Sequence, residues 1–394
     1  MRRRIRLTLA AAIVPAIALT LATNAHAAPS PEPGGRIILV QPAPAERGVT
    51  AVKDTYIVEL KKGVRLKSSL GVAPQRTFST AVNGFSAKLT AAQLAELQKS
   101  PDVIAISQDV YVENAADTTQ PNPPSWGIDR IDQRNLPLSN SFTYTRTGSG
   151  VNAYIIDSGV DPSHPNFGGR ATFDFNGIDS NNTDCNGHGT HVAGTIGSTS
   201  YGIAKSVRLH GVKWLDCGGG GTASAAIAAV DWVTRNAVKP AVANASWNFN
   251  PNTTLENSLR AMINSGVFLA ASAGNTGGNS CDRLPRKIET ALVTAATTST
   301  DARASYSSTG ACVDVYAPGS AIVSTLPGNT TGSYNGTSMA TPHVAGVAAL
   351  YLQTSPSATP ATVKTYIETN STPNVVSGGT TGGTVNRLLF SNGL

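Results

Sequence analysis

The 394-residue sequence has no apolar run of the length that a membrane span requires. Its most apolar stretch, residues 7–21, is short, follows four arginines among residues 2–6, and precedes Ala25-His26-Ala27. A basic start, a short apolar segment and a small-residue cleavage site are typical of a secretory signal peptide. We therefore predict that residues 1–27 are removed on export by the general secretory route, leaving a secreted, extracellular protein with no membrane attachment.

The chain after residue 114 also lacks an excess of charge of either sign. The whole sequence has 30 Lys+Arg and 24 Asp+Glu, but 14 and 8 of these precede residue 115, which leaves 16 of each sign. The basic pI of about 9.2 therefore belongs to segments that we expect to be removed. Because nucleic-acid binding needs a basic surface, we predict no nucleic-acid partner.

Cysteine is scarce, and all of it lies after residue 184. In an exported protein an even number of cysteines favours disulfides over free thiols. Three pairings are possible, and the consecutive one closes loops of similar size, with separations of 32 and 31 residues. A metal site formed by Cys185, His188 and His191 is the alternative. The four cysteines are Cys185, Cys217, Cys281 and Cys312.

Composition shifts divide the chain into four parts. Residues 28–53 are rich in Pro, Gly and Ala and read as a linker after the signal peptide of residues 1–27. Residues 54–114 predict a small α+β unit with strands at 55–60, 84–89 and 103–107 and a helix at 91–99, capped by Thr90. A polar, proline-rich stretch at 115–125 marks the start of the main domain, residues 115–394.

The main domain alternates strand and helix patterns. Apolar strands are predicted at 151–156, 207–212, 241–245, 267–271 and 292–296, with helices between them. Such alternation predicts an α/β fold: a doubly wound, mostly parallel sheet with helices on both faces and ligands at the strand carboxyl ends. Asp157 and Asn275 fall at two such ends.

A serine opens the apolar helix that we predict near the C-terminus. Ser338 lies in Asn335-Gly-Thr-Ser338-Met-Ala-Thr-Pro-His343, after Gly336, which permits a tight turn. A serine beside the unpaired N–H groups of a helix N-terminus suits a developing oxyanion. The alternative is an ordinary N-cap serine.

A serine nucleophile needs a base to take its proton and a third group to orient that base, and two residues upstream of Ser338 are of these kinds. Ser338, His188 and Asp157 supply all three kinds of side chain, in the order Asp, His, Ser. An α/β-hydrolase would need a G-x-S-x-G motif with the histidine last, whereas this chain has Gly-Thr-Ser338-Met-Ala with the serine last.

Three motifs together resemble the subtilases. They are Ile155-Ile-Asp157-Ser-Gly, Asn186-Gly-His188-Gly-Thr-His-Val-Ala-Gly and Gly336-Thr-Ser338-Met-Ala-Thr-Pro-His-Val-Ala-Gly. Residues 120–394 are most similar to the proteinase K and aqualysin branch, and residues 54–113 resemble the subtilase inhibitor pro-domain, a small ferredoxin-like α+β unit. The segment between residues 60 and 84 departs from that pro-domain because it is short and poor in helix formers.

The resemblance implies a secreted serine endopeptidase that hydrolyses peptide bonds in proteins through an acyl-enzyme. It also implies a zymogen that cuts itself near Asn114–Ala115, with its own pro-domain as an intramolecular inhibitor. Protein and peptide substrates are the expected partners, and nothing in the sequence demands an oligomer, so we expect a monomer. The alternative is a catalytically weakened subtilase fold that acts as a peptide-binding protein. The unusual sequence of the substrate edge at residues 246–249 would favour this alternative.

By the same resemblance, Asp157 orients His188, His188 is the base, Ser338 attacks, and Asn275 donates to the oxyanion. A turn residue is the alternative for Asn275. His191 and His343 lie inside the motifs and are expected to be packing residues. The implied substrate-binding residues are Gly219, Gly220, Gly221, Ser246, Trp247, Asn248, Ala273 and Gly274.

The substrate edges depart from the family pattern. Relatives usually have Ser-Leu-Gly-Gly where this chain has Ser246-Trp247-Asn248-Phe249, so Asn248 is expected to narrow the specificity pocket. Four successive glycines at 218–221 are expected to make the opposite edge looser. We therefore do not assume that this chain shares the family's preference for particular substrate residues immediately before the scissile bond.

Calcium is the expected structural ion, and no catalytic cofactor is expected. Asp129, Asp132 and Gln133 at spacing i, i+3, i+4 share one helical face and offer hard oxygen ligands. The resemblance extends this site to Ser139 and Ser141 and adds a second one at Asp314, while the alternative for each is a solvated helix face or a capping carboxylate. The 32- and 31-residue cysteine separations are also similar to those of aqualysin-like enzymes, which implies the pairs Cys185–Cys217 and Cys281–Cys312.

Overall fold

The computed structural model describes residues 38, 40–41, 49–65, 71–112 and 118–394. These form two compact units, the first ending at residue 111 and the second comprising residues from 112 onward together with residues 49–50. The predicted signal peptide, most of the linker and the expected cleavage site at Asn114–Ala115 lie outside the described residues. No helix in the described ranges has the length and hydrophobicity of a membrane span.

The first unit is a five-stranded sheet with one helix among its described residues. Strand order in the sheet is β1-β5-β2-β4-β3, and β1 pairs with β5 in parallel. Its core contains Val58, Phe85, Leu97 and Ile106, all buried. The elements are β1 (Val40–Gln41), β2 (Val49–Leu60), β3 (Arg76–Phe78), β4 (Gly84–Lys88), α1 (Ala91–Lys99) and β5 (Val103–Val112).

The start of α1 follows directly from local sequence. Thr90 Oγ1 accepts from the Gln93 backbone N–H (3.2 Å), and the Gln93 side chain accepts in return from the Thr90 N–H (3.0 Å). This reciprocal capping box satisfies two N–H groups that the first helical turn leaves free. The predicted helix at 91–99 and its Thr90 cap are therefore confirmed.

The second unit contains a nine-stranded sheet, ordered β17-β18-β14-β13-β12-β11-β8-β10-β9. Every pair in it is parallel except β17 with β18. The sheet strands are β8 (Asn152–Asp157), β9 (Ala171–Asn176), β10 (Arg208–Lys213), β11 (Ala241–Ala245), β12 (Val267–Ser272), β13 (Leu292–Thr297), β14 (Val315–Pro318), β17 (Thr372–Pro373) and β18 (Arg387–Leu388).

Helices cover both faces of this sheet. The helices are α2 (Trp126–Ile131), α3 (His188–Gly197), α4 (Ala223–Asn236), α5 (Thr253–Asn264), α6 (Thr337–Thr354) and α7 (Pro360–Asn370). Two antiparallel hairpins accompany them: β6 (Thr118–Pro121) with β7 (Ser141–Tyr144), and β15 (Ile322–Leu326) with β16 (Thr330–Tyr334).

Successive residues of the central strand β8 point into two separate cores. Ile155 packs with α3 and α6, whereas Tyr154 and Ile156 pack with α4 and α5. A strand buried on both faces needs an apolar run, which residues 153–156 provide, while the buried Asn152 at the start of β8 donates to the Val238 carbonyl. The predicted doubly wound, mostly parallel α/β fold is confirmed.

Candidate active site

The three predicted catalytic residues lie at the ends of regular elements. Asp157 is the last residue of β8, His188 is the first residue of α3, and Ser338 is the second residue of α6. The carboxyl ends of parallel strands are where α/β folds bind ligands. The three side chains therefore lie at the ends of a strand and two helices, and these elements fix their positions.

Asp157 and His188 are hydrogen-bonded to each other. The His188 Nδ1–H donates to Asp157 Oδ1 across 2.7 Å, and Asp157 is fully buried. Because a carboxylate only accepts, the proton is on Nδ1, and Nε2 is left as the free basic nitrogen. Burial lowers the pKa of His188, but the charge and hydrogen bond of Asp157 and the charge of Asp184 outweigh it, so the pKa is raised above its ordinary value.

Asp184 is a buried carboxylate that the sequence analysis missed. Its Oδ1 accepts from the Ser158 hydroxyl (2.9 Å) and the Gly187 N–H (2.8 Å), and its Oδ2 accepts from the N–H (2.8 Å) and hydroxyl (2.6 Å) of Thr190. Ser158 Oγ in turn accepts from the Gly189 N–H (3.0 Å). Asp184 therefore ties the end of β8 to the first turn of α3, where His188 begins the helix.

Ser338 faces Ser246 across the site. Ser338 Oγ donates to the Ser246 carbonyl (3.0 Å), and Ser246 Oγ donates to the Ser338 carbonyl (2.9 Å). Asn244 Nδ2 donates to Ser246 Oγ as well (2.8 Å). The hydroxyl of Ser338 must leave the Ser246 carbonyl before it can give its proton to His188 Nε2.

Thr337 fixes the orientation of the Asn275 amide. The N–H and the hydroxyl of Thr337 both donate to Asn275 Oδ1, each at 2.9 Å, and the Gly274 N–H donates to Thr337 Oγ1 (3.1 Å). With Oδ1 taken up, Asn275 presents Nδ2 as the donor for a ligand. A Cβ on Gly336, whose φ is +152°, would lie 3.4 Å from that Nδ2, so the glycine keeps the approach open.

The glycine edge is an ordered turn and not a loose one. Asp216 Oδ1 accepts from the N–H groups of Gly218 (2.9 Å) and Gly220 (3.0 Å), and its own N–H donates to the Gly220 carbonyl (2.7 Å). Gly221 packs so closely on Trp214 that a Cβ would lie 2.6 Å from that ring. Our expectation of a looser edge was wrong because the stabilising carboxylate comes from outside the glycine run.

Trp247 does not line the groove with its side chain. It is buried and packs edge-on against Trp214, with ring centroids 5.0 Å apart, and its carbonyl accepts from Ser272 Oγ (3.1 Å). Of the predicted edge residues 246–248, Ser246 contacts Ser338 and Asn248 is exposed. The Trp247 ring therefore belongs to the core beneath the site, whereas Trp214 and Phe249 line the cavity.

A cavity of about 740 Å³ lies between the two predicted edges. Its wall includes Gly219, Gly220 and Gly221 on one side and Asn248, Thr276 and Ser280 on the other. Ala273 and Gly274 run behind this wall: the Ala273 carbonyl accepts from the guanidinium of Arg286, and a Cβ on Gly274 would overlap that guanidinium. Neither Asp216 nor Arg286 was anticipated from the sequence.

Both predicted disulfides are present. Cys185 pairs with Cys217 and Cys281 with Cys312, and the described residues contain no free cysteine. The metal site considered for Cys185, His188 and His191 is therefore excluded. His191 and His343 are buried with backbone hydrogen-bond partners, and burial lowers the pKa of each to about 4, as expected for neutral packing residues.

The first set of predicted calcium ligands is brought together in one loop. Asp129 accepts from the N–H (3.1 Å) and hydroxyl (3.0 Å) of Ser139, Gln133 Oε1 accepts from the same N–H (3.0 Å), and Ser139 and Ser141 share a hydroxyl contact of 2.8 Å. Asp132 Oδ1 is buried without a partner among the described residues. Burial and the charge of Asp129 outweigh the Thr143 N–H and raise the pKa of Asp132 to about 6.

These residues fit a hard cation. Two carboxylates, one amide oxygen and two hydroxyls are ligands that calcium accepts, and the unpartnered Asp132 oxygen needs a positive charge nearby. No group of three or more His, Cys, Asp or Glu side chains suited to a metal occurs in the part of the chain that the structure describes. The candidate site therefore depends on its neutral oxygens as well as its two carboxylates.

Asp314 is engaged in an ion pair. Its Oδ2 accepts from Lys364 Nζ (2.7 Å) and from the Val293 N–H (2.8 Å). An ammonium group thus occupies the position beside the carboxylate where a cation would bind. This arrangement does not support the predicted second calcium site, and no local pattern indicated a partner 50 residues away.

Comparisons with known proteins agree with the motifs. The model of the subtilase family matches residues 148–393, and the model of peptidase inhibitor I9 matches residues 64–115. A crystal structure described as a cold adapted subtilisin-like serine proteinase is similar with a TM-score of 0.66 and 46% identity, covering 68% of this chain and 97% of that one.

Curated relatives are proteases. The chain is 46% identical over 310 residues to an extracellular serine proteinase of Thermus sp. strain Rt41A, covering 78% of this chain and 75% of that protein. It is 37% identical over 397 residues to the alkaline serine protease ver112 of Corniculantispora psalliotae, covering 98% and 99%. It is also 44% identical over 333 residues to the alkaline serine exoprotease A of Vibrio alginolyticus; the match covers 83% of this chain but only 62% of that protein.

Proposed function

Because the chain belongs to the subtilase family of serine proteases, we propose that it is a secreted endopeptidase that hydrolyses peptide bonds with Asp157, His188 and Ser338. The observation that carries these roles is the 2.7 Å hydrogen bond from His188 Nδ1 to the buried Asp157 carboxylate. This bond leaves Nε2 of His188 free to act as the base. Asp157 orients the imidazole ring and stabilises its protonated form.

The reaction begins when Ser338 Oγ attacks the peptide carbonyl carbon and its proton passes to His188 Nε2. Asn275 Nδ2 and the Ser338 backbone N–H donate to the oxyanion that forms. The tetrahedral intermediate collapses as His188 gives the proton to the leaving amine, which produces the acyl-enzyme. Water then attacks the ester, losing a proton to His188, and Ser338 is released.

Two contacts prepare this sequence of steps. Thr337 holds the Asn275 amide with Nδ2 available, so the oxyanion donor needs no reorientation when the charge develops. Asp157 stabilises the imidazolium that exists between the two proton transfers. The Ser338–Ser246 hydrogen bond holds the nucleophile until substrate occupies the groove.

The chain is made as a zymogen in this proposal. The inhibitor I9 match at residues 64–115 supports a pro-domain that inhibits the enzyme intramolecularly and is released by self-cleavage near Asn114–Ala115. The N-terminal pattern supports removal of residues 1–27 on secretion. The domains would then be signal peptide 1–27, linker 28–53, pro-domain 54–114 and peptidase 115–394, acting as a monomer.

Calcium serves as a structural ion in this proposal. Asp129, Asp132, Gln133, Ser139 and Ser141 would hold it and so neutralise two neighbouring carboxylates. The ion stabilises the loop between α2 and β7, and no catalytic step uses it.

Covalent labelling of Ser338 tests the catalytic assignment. A fluorophosphonate reacts with a serine whose proton can be taken by a nearby base, so the mature protein should be labelled at Ser338 and lose activity on casein in parallel. The Ser338→Ala variant should take up no label. Peptide binding without labelling would instead favour the alternative, a peptide-binding protein on the same fold.

A further inference from the structure

We propose that the specificity pocket selects substrates with an acidic residue immediately before the scissile bond, because Arg286 supplies an unpaired positive charge behind the pocket wall. This inference deepens the proposed protease function and rests on it. The ligand class that the site would take is an acidic side chain, in preference to a neutral one.

Arg286 is buried behind two residues that line the cavity, Asn248 and Ser280. The residue is only 1% exposed, and its two terminal nitrogens donate to different parts of the site. Nη1 donates to the Ala273 carbonyl and to Ser280 Oγ (3.2 Å), and Nη2 donates to Asn248 Oδ1. The guanidinium therefore connects the edge containing Asn248 to the segment that leads into Asn275.

No carboxylate pairs with Arg286 among the described residues. All of its described hydrogen-bond acceptors are neutral oxygens, and its Nε is buried without a partner. Burial and the charge of Arg283 lower the pKa of Arg286 to about 10, against the charge of Asp282, so the group remains a cation at neutral pH. A buried charge without a counter-ion is unfavourable, and an anion bound nearby would relieve that cost.

The cavity beside Arg286 is placed to receive a substrate side chain. Asn248 and Ser280, both hydrogen-bonded to Arg286, line it together with Gly219–Gly221 of the opposite edge and Thr276, which follows Asn275. The charged residues that line it are Asp282 and Arg283, whose side chains lie 3.6 Å apart and offset each other. Asp216 binds the N–H groups of Gly218 and Gly220 on the glycine edge, so the cation on the opposite edge, next to Asn248 and Ser280, is Arg286.

Asn248 completes the recognition of a carboxylate. Because its Oδ1 accepts from Arg286, its exposed amide has only Nδ2–H groups left to offer a ligand. A carboxylate accepts from such donors and also gains from the cation behind them, whereas a neutral amide gains only the hydrogen bonds. Glu and Gln have nearly the same shape, so the charge alone should separate them.

Matched peptides test this inference. Two peptides that differ only in Glu or Gln before the scissile bond should differ in kcat/KM by about 10- to 100-fold in favour of Glu, the effect of one opposite charge at short range in a partly desolvated site. A third peptide with Phe at that position should be cut more slowly than the Glu peptide. A Glu/Gln ratio near one in the unmodified enzyme would overturn the proposal.

Variants then assign the effect to Arg286. Arg286→Met, which retains most of the side-chain length, should bring the Glu/Gln ratio to about one, and Arg286→Lys should retain part of the preference. Lys287→Met removes one charge from the adjacent residue outside the cavity wall and should leave the ratio unchanged. Loss of the preference in Arg283→Met but not in Arg286→Met would overturn the assignment.

Labelling separates this inference from the proposed function. Fluorophosphonate labelling of Ser338 in each variant reports an intact catalytic site independently of the pocket. If the enzyme is labelled and cuts the Gln peptide as well as the Glu peptide, only the inference fails. If no peptide is cut and Ser338 is not labelled, the proposed function fails. Should Arg286→Met not fold, the ratio in the unmodified enzyme still decides.

Discussion

Ser246 and Ser338 exchange two hydrogen bonds, each hydroxyl donating to the other residue's carbonyl at 2.9 and 3.0 Å. The pair joins the edge that follows β11 to the first turn of α6. In our proposal the nucleophile is Ser338, which directly follows Thr337, the residue that orients the Asn275 amide. The other hydroxyl holds the backbone of the nucleophile in place.

Substituting the two serines should therefore have very different effects. Ser338→Ala should lower kcat by about a millionfold, the size found for the corresponding change in subtilisin. Ser246→Ala should lower the free energy of unfolding by about 1 kcal/mol through the lost hydrogen bond and reduce kcat/KM by less than about a hundredfold. Steady-state kinetics and denaturant unfolding measure both. Comparable losses of kcat in the two variants would contradict the assignment of the nucleophile.

Activity should depend on pH through His188. The imidazole accepts a proton only when neutral, and its pKa is raised, so kcat/KM should fall as pH drops through a value above 6.5. Asp184 is one cause of the raised pKa, so in Asp184→Asn the fall of kcat/KM on the acid side of the pH profile (the acid limb) should occur at lower pH. Asp231→Asn, an exposed residue paired with Arg235, is the control and should leave it unchanged. An acid limb that stays fixed in Asp184→Asn would show that Asp184 has no electrostatic effect on the base.

Calcium should stabilise the folded enzyme through the loop of Asp129 and Asp132. At a hundredfold excess over Kd the ion adds about 2.7 kcal/mol to the free energy of unfolding. The measurement is the unfolding midpoint of the Ser338→Ala protein with calcium and with a chelator. The double substitution Asp129→Asn plus Asp132→Asn should abolish the difference between these two conditions.

Asp314→Asn is the matched control for the calcium experiment. Because Asp314 is paired with Lys364, its substitution should lower stability equally with and without calcium. A calcium response lost in Asp314→Asn and kept in the double variant would reverse the assignment of the site.

The two disulfides offer a matched comparison, since they close loops of 32 and 31 residues. Replacing either pair by serine should lower the free energy of unfolding by about 3–4 kcal/mol in the chain-entropy description. Only Cys185 adjoins Asp184 and the loop that leads to His188, so loss of Cys185–Cys217 should also reduce kcat by about tenfold or more. Equal kcat values in the two double variants would contradict a role for the first bridge in positioning the base.

Maturation should require the enzyme's own activity. We expect the secreted protein to begin near Ala115 and the Ser338→Ala precursor to remain uncut, because the same groove and nucleophile cleave the junction. N-terminal sequencing and mass spectrometry of secreted material measure both. A mature start before about residue 105, or normal processing of Ser338→Ala, would count against self-cleavage.

Much of the fold could be predicted because its signals are local. The apolar run before Asp157 and the Thr90–Gln93 capping box each specify an element within a few residues, and the structure has β8 ending at Asp157 and α1 starting at Ala91. The two cysteine pairs were implied by the resemblance to aqualysin-like enzymes, and both are present. Motifs likewise located Asp157, His188 and Ser338 at the ends of their elements.

What the sequence did not reveal depends on residues brought together from far apart. Asp314 and Lys364 are distant in the chain, so nothing local could distinguish an ion pair from a cation site. Arg286 reaches Asn248 across 38 positions, and Trp247 is drawn into the core by Trp214. Asp184 was missed for a similar reason, because it lies three residues before the N-cap Gly187 and its partners Ser158 and Thr190 lie 26 and 6 positions away.

The two disulfides also affect what happens when one molecule of this enzyme cleaves another. A protease at high concentration meets its own surface loops as potential substrates, and a groove of this kind accepts a chain only when several successive residues are drawn out into a strand. Cys185–Cys217 and Cys281–Cys312 hold the Cα atoms of their partners 4.9 and 5.6 Å apart. A single cut between either pair of cysteines would therefore leave both new ends covalently attached to the enzyme.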